Sequence, residues 1–540
     1  MPKKKLNIVL LSNTYSPSPI LLVIHEMIKK KGHNSKYVHI PIYKHDFAPE
    51  YYDHITSELI KVCANADLLA FTCMTNTFLA SSKLITRLKS RLNNIPVVIG
   101  GIHSTAKPLE CLSCADYACI GEGERAFMEL IDRIASGRST KDTPGFYVKH
   151  NGKIIKNKSG ELVKDLDTLP IPSFDLRDQY FIYNDKLICM NDYKDNQEVL
   201  MQYFTRYYFM VTSRGCPYTC KFCINDVLKR LSIQYRLMRY RSTAHVMEEL
   251  NRMKSVIKYP VTIGFADDDF LARPVEKVQE FVKVYKKEIG LPFFHSSTPH
   301  SMHPDKIKAS VDAGLRRIEI GIQSIHDATN RGIYGRAGLR KDVEKAISIV
   351  SPYRNKIEIN YDIILDNPWE SEESVLETLE FMFKIPKPCT FAIFSLVPFP
   401  GTSLYELAKE EGTLQDQEKL IYNNDIMLLK NNDLNTLITL YSKYHLPATL
   451  IKFGIKLRKT PPFSTLLKRG TIPLWRLYNY YEGFKTSLGD KNMPAIKSYL
   501  KSPILKAGKE LVKIFNRRTR EDLGITSESM ERSPDGVISR

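Results

Sequence analysis

Three cysteines, Cys216, Cys220 and Cys223, lie close together in the chain and carry its strongest chemical signal. Spaced Cys-x-x-x-Cys-x-x-Cys, they deliver three thiolates from one tight loop, where a structural zinc or a conventional iron–sulfur cluster asks for four. One metal position is therefore left open for a ligand that is not protein. A zinc site completed by a distant residue, or three buried thiols, are the competing readings. The loop follows a β-rich run, Tyr207 to Thr212, and contains Gly215 and Pro217 for a tight path. The carboxyl end of a strand is where an α/β barrel places its chemistry.

Positioning such a loop takes a scaffold. Apolar runs at 261–265, 292–296, 317–322, 357–365 and 390–397 alternate with helical stretches and, with 207–212, make six strand units. Six units predict an incomplete α/β barrel over residues 206–415 rather than a closed eightfold one. Polar residues gather at the strand ends: Asp267, Asp268 and Asp269 after the second, Gln323 and Ser324 after the fourth, Asp366 and Asn367 after the fifth. An acidic cluster can bind a cation or cap a helix, although one cap needs only one carboxylate. Ser324 also reads as a helix cap. Cys389 precedes its strand, at the opposite barrel face, and is rejected as a catalytic thiol.

Residues 1–135 show strand-like runs at 6–11, 37–42, 67–72, 95–99 and 116–120 with helical periodicity between them, which predicts a doubly wound parallel sheet. Ligands in such sheets bind beyond the carboxyl ends of the strands. At those ends stand Thr72, then Gly100 and Gly101, then Gly121, Glu122 and Gly123. Glycine there permits close approach of backbone to a large or phosphorylated ligand, and is also ordinary turn chemistry. Cys111, Cys114 and Cys119 read as packing thiols.

The run from Ser213 to Cys223 resembles the cluster-binding loop of the radical SAM enzymes, and the resemblance extends over residues 206–415. It implies that Cys216, Cys220 and Cys223 hold a [4Fe-4S] cluster whose fourth iron takes S-adenosylmethionine, and that an electron passed to the sulfonium releases a 5′-deoxyadenosyl radical. It also implies that Asp267 and Asp268 face the amino end of that cofactor, and that Gln323 and Ser324 lie near its ribose or carboxylate. A glutamine amide both donates and accepts, as ribose hydroxyls require. The Asp366–Asn367 pair departs from the family's glycine-rich turn. Gly100–Gly101 and Gly121–Glu122–Gly123–Glu124 are similar to the cobalamin-binding domain that precedes many radical SAM cores. The Asp-x-His-x-x-Gly motif is lacking, so a histidine ligand to cobalt is not expected from this domain; His25 and His103 are the histidines considered near the corrin.

The resemblance therefore implies a cobalamin-dependent radical SAM methyltransferase acting on an unactivated carbon of a small-molecule or lipid substrate. Its electrons would come from an external donor such as flavodoxin or ferredoxin. The alternatives are cyclisation, ring contraction or oxidation without methyl transfer, and, from another class, an RNA- or membrane-binding protein with a structural cluster. At 540 residues two or three domains are expected. Ten cysteines without a secretory leader fit a reducing cytoplasm. The net charge of +18 suits nucleic acid, anionic lipid or phosphorylated ligands, and equally a solvated lysine-rich surface; nucleic acid is not expected. No run is long enough to span a membrane, while peripheral contact stays open. Residues 136–205 read as a linker with a hairpin at Asn151–Gly152. Residues 416–540 read as a basic helical region with a disordered end beyond about Ile525, containing Leu434, Leu437, Ile438 and Tyr441 at helical spacing.

Overall fold

The computed structural model describes residues 3–14, 16–41, 48–336, 339–414, 421–422, 427 and 429–460. The chain divides into two compact units, Met1–Leu429 and Lys430–Arg540.

In the first unit, β1 (Asn7–Ser12), β2 (Asn34–His39), β3 (Leu68–Thr72), β4 (Val97–Gly100) and β5 (Tyr117–Cys119) pair in parallel in the order β5-β4-β3-β1-β2. Helices Pro19–Lys30, Pro49–Cys63, Thr75–Arg91 and Glu124–Ala135 alternate with them. A parallel sheet covered on both faces is apolar along its strands, and Val9, Leu10, Leu11, Leu68 and Leu69 are all buried. The chain goes from β1 to β2 on one side and returns to β3 on the other. The strand order thus reverses between β1 and β3, and that crevice is the topological switch point where ligands bind.

The expected linker is woven into this sheet. β6 (Phe146–His150) and β7 (Lys153–Lys156), joined at Asn151–Gly152, extend β5 in antiparallel pairing. At the far edge, β8 (Gln179–Tyr183) joins β2 in parallel and turns back into β9 (Lys186–Cys189). The sheet has nine strands rather than the five expected.

After helix Gln197–Phe204, β10 (Tyr207–Met210) starts a second sheet. A two-residue ribbon, β11 (Ser213–Arg214) against β12 (Arg239–Tyr240), frames the cysteine loop. Then come β13 (Thr262–Phe265), β14 (Phe293–Ser297), β15 (Leu315–Gln323), β16 (Glu358–Leu365) and β17 (Thr390–Ser395). All six wall strands are parallel and neighbours in chain order, with β10 and β17 at the edges, as an open partial barrel requires. Along β15, Ile318, Ile320 and Ile322 are buried, while Arg317, Glu319, Gly321 and Gln323 are only half-buried. This period of two is the pattern of a wall with helices on one side and a cavity on the other.

In the second unit, helices Asp433–Ser442 and Ala448–Leu457 are described, with Leu437, Ile438 and Tyr441 buried. The aromatic and basic run with Trp475, Tyr478, Tyr480, Lys468 and Arg469, and the end beyond Ile525, lie outside the described residues. No helix among the described residues is long and apolar enough to cross a membrane.

Candidate functional site

Cys216, Cys220 and Cys223 occupy the loop between β11 and helix Ile224–Leu231, whose N-cap is Cys223. Gly215 enters the loop with φ +95°, and a Cβ there would collide with the Leu237 carbonyl oxygen, so the path requires glycine. The loop is anchored from several sides. Cys216 N donates to Tyr235 O (3.3 Å), Lys221 N to Tyr334 O (2.8 Å), and Leu404 N to Lys221 O (3.1 Å). Burial pushes the Cys216 thiol up to about 12 and Cys223 to about 11, and raises Cys220 as well. Such thiols keep their protons at neutral pH until a metal displaces them. Among the described residues, no three His, Cys, Asp or Glu side chains converge on one metal ion. A single zinc needs that convergence, whereas an iron–sulfur cube would bind each thiolate through a different iron. All ten cysteines are free thiols.

The three aspartates after β13 each hold a different segment. Asp267 accepts from Thr212 N (2.6 Å), Ser213 N (2.9 Å) and the Thr212 hydroxyl (2.6 Å), and pairs with Arg273 at 3.0 Å. Its carboxylate is thus occupied in fixing the end of β10 and does not face outward as expected. Asp268 is the one beside the thiols: it accepts from Asn225 Nδ2 (2.9 Å), and that same amide lies 3.8 Å from Cys223 Sγ. Burial raises the Asp268 carboxyl. Asp269 accepts from the Thr298 and Ser301 hydroxyls (2.8 and 2.9 Å) and from Leu271 N (3.1 Å).

At the end of β15, Gln323 sits in a bulge with φ +69°, and the register against β16 shifts there. The Ser324 hydroxyl donates to Glu370 (2.8 Å) and accepts from His326 N (3.1 Å), so it braces the turn instead of presenting itself to a ribose. Two cations missed in the sequence come close to the thiols. Arg336, 8% exposed, donates to Gly321 O (2.7 Å) and stands within electrostatic range of Cys220 and Cys223. Lys229 lies near Cys216, Cys220 and Asp268, with its ammonium buried and without a hydrogen bond to protein. Positive charge here favours thiolate and cluster, and a guanidinium suits a carboxylate ligand.

The half-buried face of the wall carries a second polar group. Arg317 donates to Glu319 (2.6 Å), Ser296 to Glu319 (2.7 Å), Asn360 to Asp362 (2.8 Å) and Thr390 to Asn360 (3.0 Å). Burial, with Glu319 nearby, pushes the Asp362 carboxyl up to about 7. The alternation of charged residues with isoleucine along β15 was the available sequence signal.

At the carboxyl edge of the first sheet, Cys73 N donates to Gly100 O (2.9 Å). Gly101 has φ +93°, and a Cβ on it would lie 2.8 Å from both Cys73 O and Thr72 Oγ1, so a side chain would force β3 and β4 apart. Gly121 N donates to Thr105 Oγ1 (3.1 Å) in the helix that follows Gly101. A Cβ on Gly121 would lie 2.6 Å from Tyr235 Oη, and one on Gly123 3.4 Å from Cys119 Sγ. The Glu122 carboxylate is bound to Arg239 at 2.6 Å. His25 bonds Ser35 at the amino end of β2, away from the crevice. His103, beyond β4, stacks on Phe78, and burial lowers it to about 4; its Nε2 has no hydrogen-bond partner. His39, at the carboxyl end of β2, has neither nitrogen bonded, and burial lowers it to about 3. His39 packs against Phe181 and Tyr203, and His103 Nε2 lies 3.8 Å from a Glu110 carboxylate oxygen, so both rings are held within the protein.

Residues 8–131 match the B12 binding domain model and residues 210–382 that of the Radical SAM superfamily. An uncharacterized methyltransferase of Pyrococcus horikoshii is 27% identical over 63% of this chain and 69% of its own length. The anaerobic magnesium-protoporphyrin IX monomethyl ester cyclase of Synechocystis is 21% identical over 80% of this chain and 78% of that protein. The structure of the cobalamin-dependent S-adenosylmethionine radical enzyme OxsB superposes with a TM-score of 0.61, covering 98% of this chain and 82% of that one at 13% identity, which shows a shared fold.

Proposed function

Because this chain belongs to the radical SAM enzymes that carry a cobalamin-binding domain, we propose that it is a cobalamin-dependent methyltransferase acting on an unactivated carbon of a small-molecule or lipid substrate. The observation that carries this reading is the pairing of a B12-type sheet with a three-cysteine loop in one compact unit, joined by direct ion pairs. When bound, a [4Fe-4S] cluster supplies the electron that splits S-adenosylmethionine, and cobalamin supplies a carrier for its methyl group. Cys216, Cys220 and Cys223 would hold the cluster. Asp268, Gln323 and Arg336 would offer the amino, ribose and carboxylate groups of S-adenosylmethionine an acceptor, an amide and a cation. The crevice over Thr72 and Gly100–Gly101 would take the corrin. The polar wall around Glu319 and Asp362 orients the substrate and keeps it from solvent.

In this reading the substrate exchanges hydrogen for methyl. One S-adenosylmethionine leaves as S-adenosylhomocysteine and a second as methionine and 5′-deoxyadenosine, with two electrons from an external donor such as flavodoxin or ferredoxin in a reducing cytoplasm. The test is anaerobic reconstitution with iron, sulfide and hydroxocobalamin, followed by reduction with methyl-labelled S-adenosylmethionine and a fractionated small-molecule extract. Formation of 5′-deoxyadenosine, corrin uptake and label in a new product are expected. Label confined to S-adenosylmethionine and the methionine split from it, while an extract component is consumed, would favour cyclisation, the second reading, which the cyclase relative supports. Neither corrin uptake nor 5′-deoxyadenosine would sink both.

A further inference from the structure

Glu122 was expected beside the corrin, yet its carboxylate and that of Glu124 pair with the arginines of the ribbon that frames the cysteine loop. Glu122 grips Arg239 with both oxygens (2.6 and 3.0 Å), lies 3.5 Å from Arg214, and accepts from Val163 N at 3.1 Å. Arg239 in turn donates to Val163 O at 2.6 Å. Glu124, with its side chain 1% exposed, pairs with Arg214 at 2.6 Å. Arg214 and Arg239 are register partners on the β11–β12 ribbon, and Arg214 stands two residues before Cys216. Tyr235 completes the connection: its hydroxyl accepts from Glu122 N (3.0 Å), and its carbonyl accepts from Cys216 N (3.3 Å). Two acids and two guanidiniums are thereby balanced in a buried joint between β5, at whose end Gly121 lies, and the loop that carries the thiols.

We propose that Glu122 and Glu124 are positioning residues, which through Arg239 and Arg214 set the separation of the corrin crevice from the cluster loop rather than binding corrin themselves. This rests on the function proposed above. Buried ion pairs of this kind serve register more surely than stability. A carboxylate already committed to Arg239 and Val163 has little capacity left for a corrin amide. With two cofactors on two sheets, a joint at this place governs how well radical formation and methyl capture are matched.

The test uses the full chain, anaerobically reconstituted with iron and sulfide, loaded with hydroxocobalamin and reduced stepwise under a controlled potential to the point where the Co(II) and reduced-cluster electron spin resonance signals are both present. Electron spin relaxation of the cobalt signal reports its distance from the cluster and needs no substrate. Glu122→Gln and Glu124→Gln are expected to keep the wild-type iron content and a corrin Kd within about twofold, while the relaxation enhancement falls by about threefold or more. An unchanged enhancement overturns the proposal, as does a corrin Kd weakened about tenfold or more with the enhancement preserved. If Glu122→Gln fails to assemble its cluster, the charge swap Glu122→Lys with Arg239→Glu decides. Recovery of cluster and enhancement together supports the joint, and any other result overturns it. A wild-type chain that takes up no hydroxocobalamin refutes the functional reading itself, a result distinguishable from all of these.

Discussion

Replacing Asp267 by Asn separates the two halves of its hydrogen bonding. Oδ1 accepts the N–H groups of Thr212 (2.6 Å) and Ser213 (2.9 Å), and an amide oxygen can serve both. Oδ2 faces the Thr212 hydroxyl (2.6 Å) and the Arg273 guanidinium (3.0 Å), which are donors, and an amide nitrogen cannot accept from either. Arg273, 5% exposed, then becomes a buried cation without its counter-ion. Breaking a buried pair from one side costs about 3–5 kcal/mol. The loss falls at the end of β10, directly before the cysteine loop, so iron uptake should fall with stability. Adding Arg273→Gln removes the stranded charge and should recover half or more of the loss, because deleting both partners leaves less unsatisfied than deleting one. Urea unfolding followed by circular dichroism, with iron assayed after anaerobic reconstitution, measures both effects. An Asp267→Asn chain that loses less than about 1 kcal/mol, or a double variant as unstable as the sum of the singles, would refute the reasoning.

Cys223→Ala should leave two thiolates and drop reconstituted iron and its visible absorption toward background; a full iron complement would remove the cluster site. Gly215→Ala places a Cβ against the Leu237 carbonyl at φ +95°. It should cost about 1–3 kcal/mol by thermal unfolding and reduce iron binding, and a neutral result would contradict the described path. Asp362 is held at about 7 when folded, against 3.8 for the free side chain. The folded state therefore binds the extra proton between those values, and this group's contribution to stability is present below pH 4 and lost as pH rises through 7. Relative to wild type, Asp362→Asn should gain about 3 kcal/mol between pH 5 and pH 8, read from paired urea curves at the two pH values; a difference that does not change with pH would exclude the shift.

The wall strands were legible because each is an apolar run closed by a polar turn, as Ile357–Leu365 and Asp366–Asn367 show. The thiols were legible because their spacing is local. The uses of neighbouring side chains were not, because each depends on a partner far along the chain. Asp267 looks like Asp268 in sequence, and only the approach of Thr212 and Arg273 separates an anchoring carboxylate from one beside Cys223. Glu122 follows a strand end suited to ligand contact, yet Arg239 claims it. Arg336 stands alone in its stretch and gains meaning only when the turn after β15 folds back toward Cys220. The strands β6 to β9 were underestimated because short hairpins show their purpose only when a neighbouring edge is there to receive them.

Those added strands leave the chain between the two sheets almost no slack. A free segment of about 70 residues would let its ends wander about 45 Å apart. Here that length is stitched at two places, to β5 through β6 and to β2 through β8, and β10 begins just after helix Gln197–Phe204. Whatever passes between the two halves is therefore handed across a fixed gap rather than carried on a tether. Lengthening the connection would change the sheet's edges before it changed the reach.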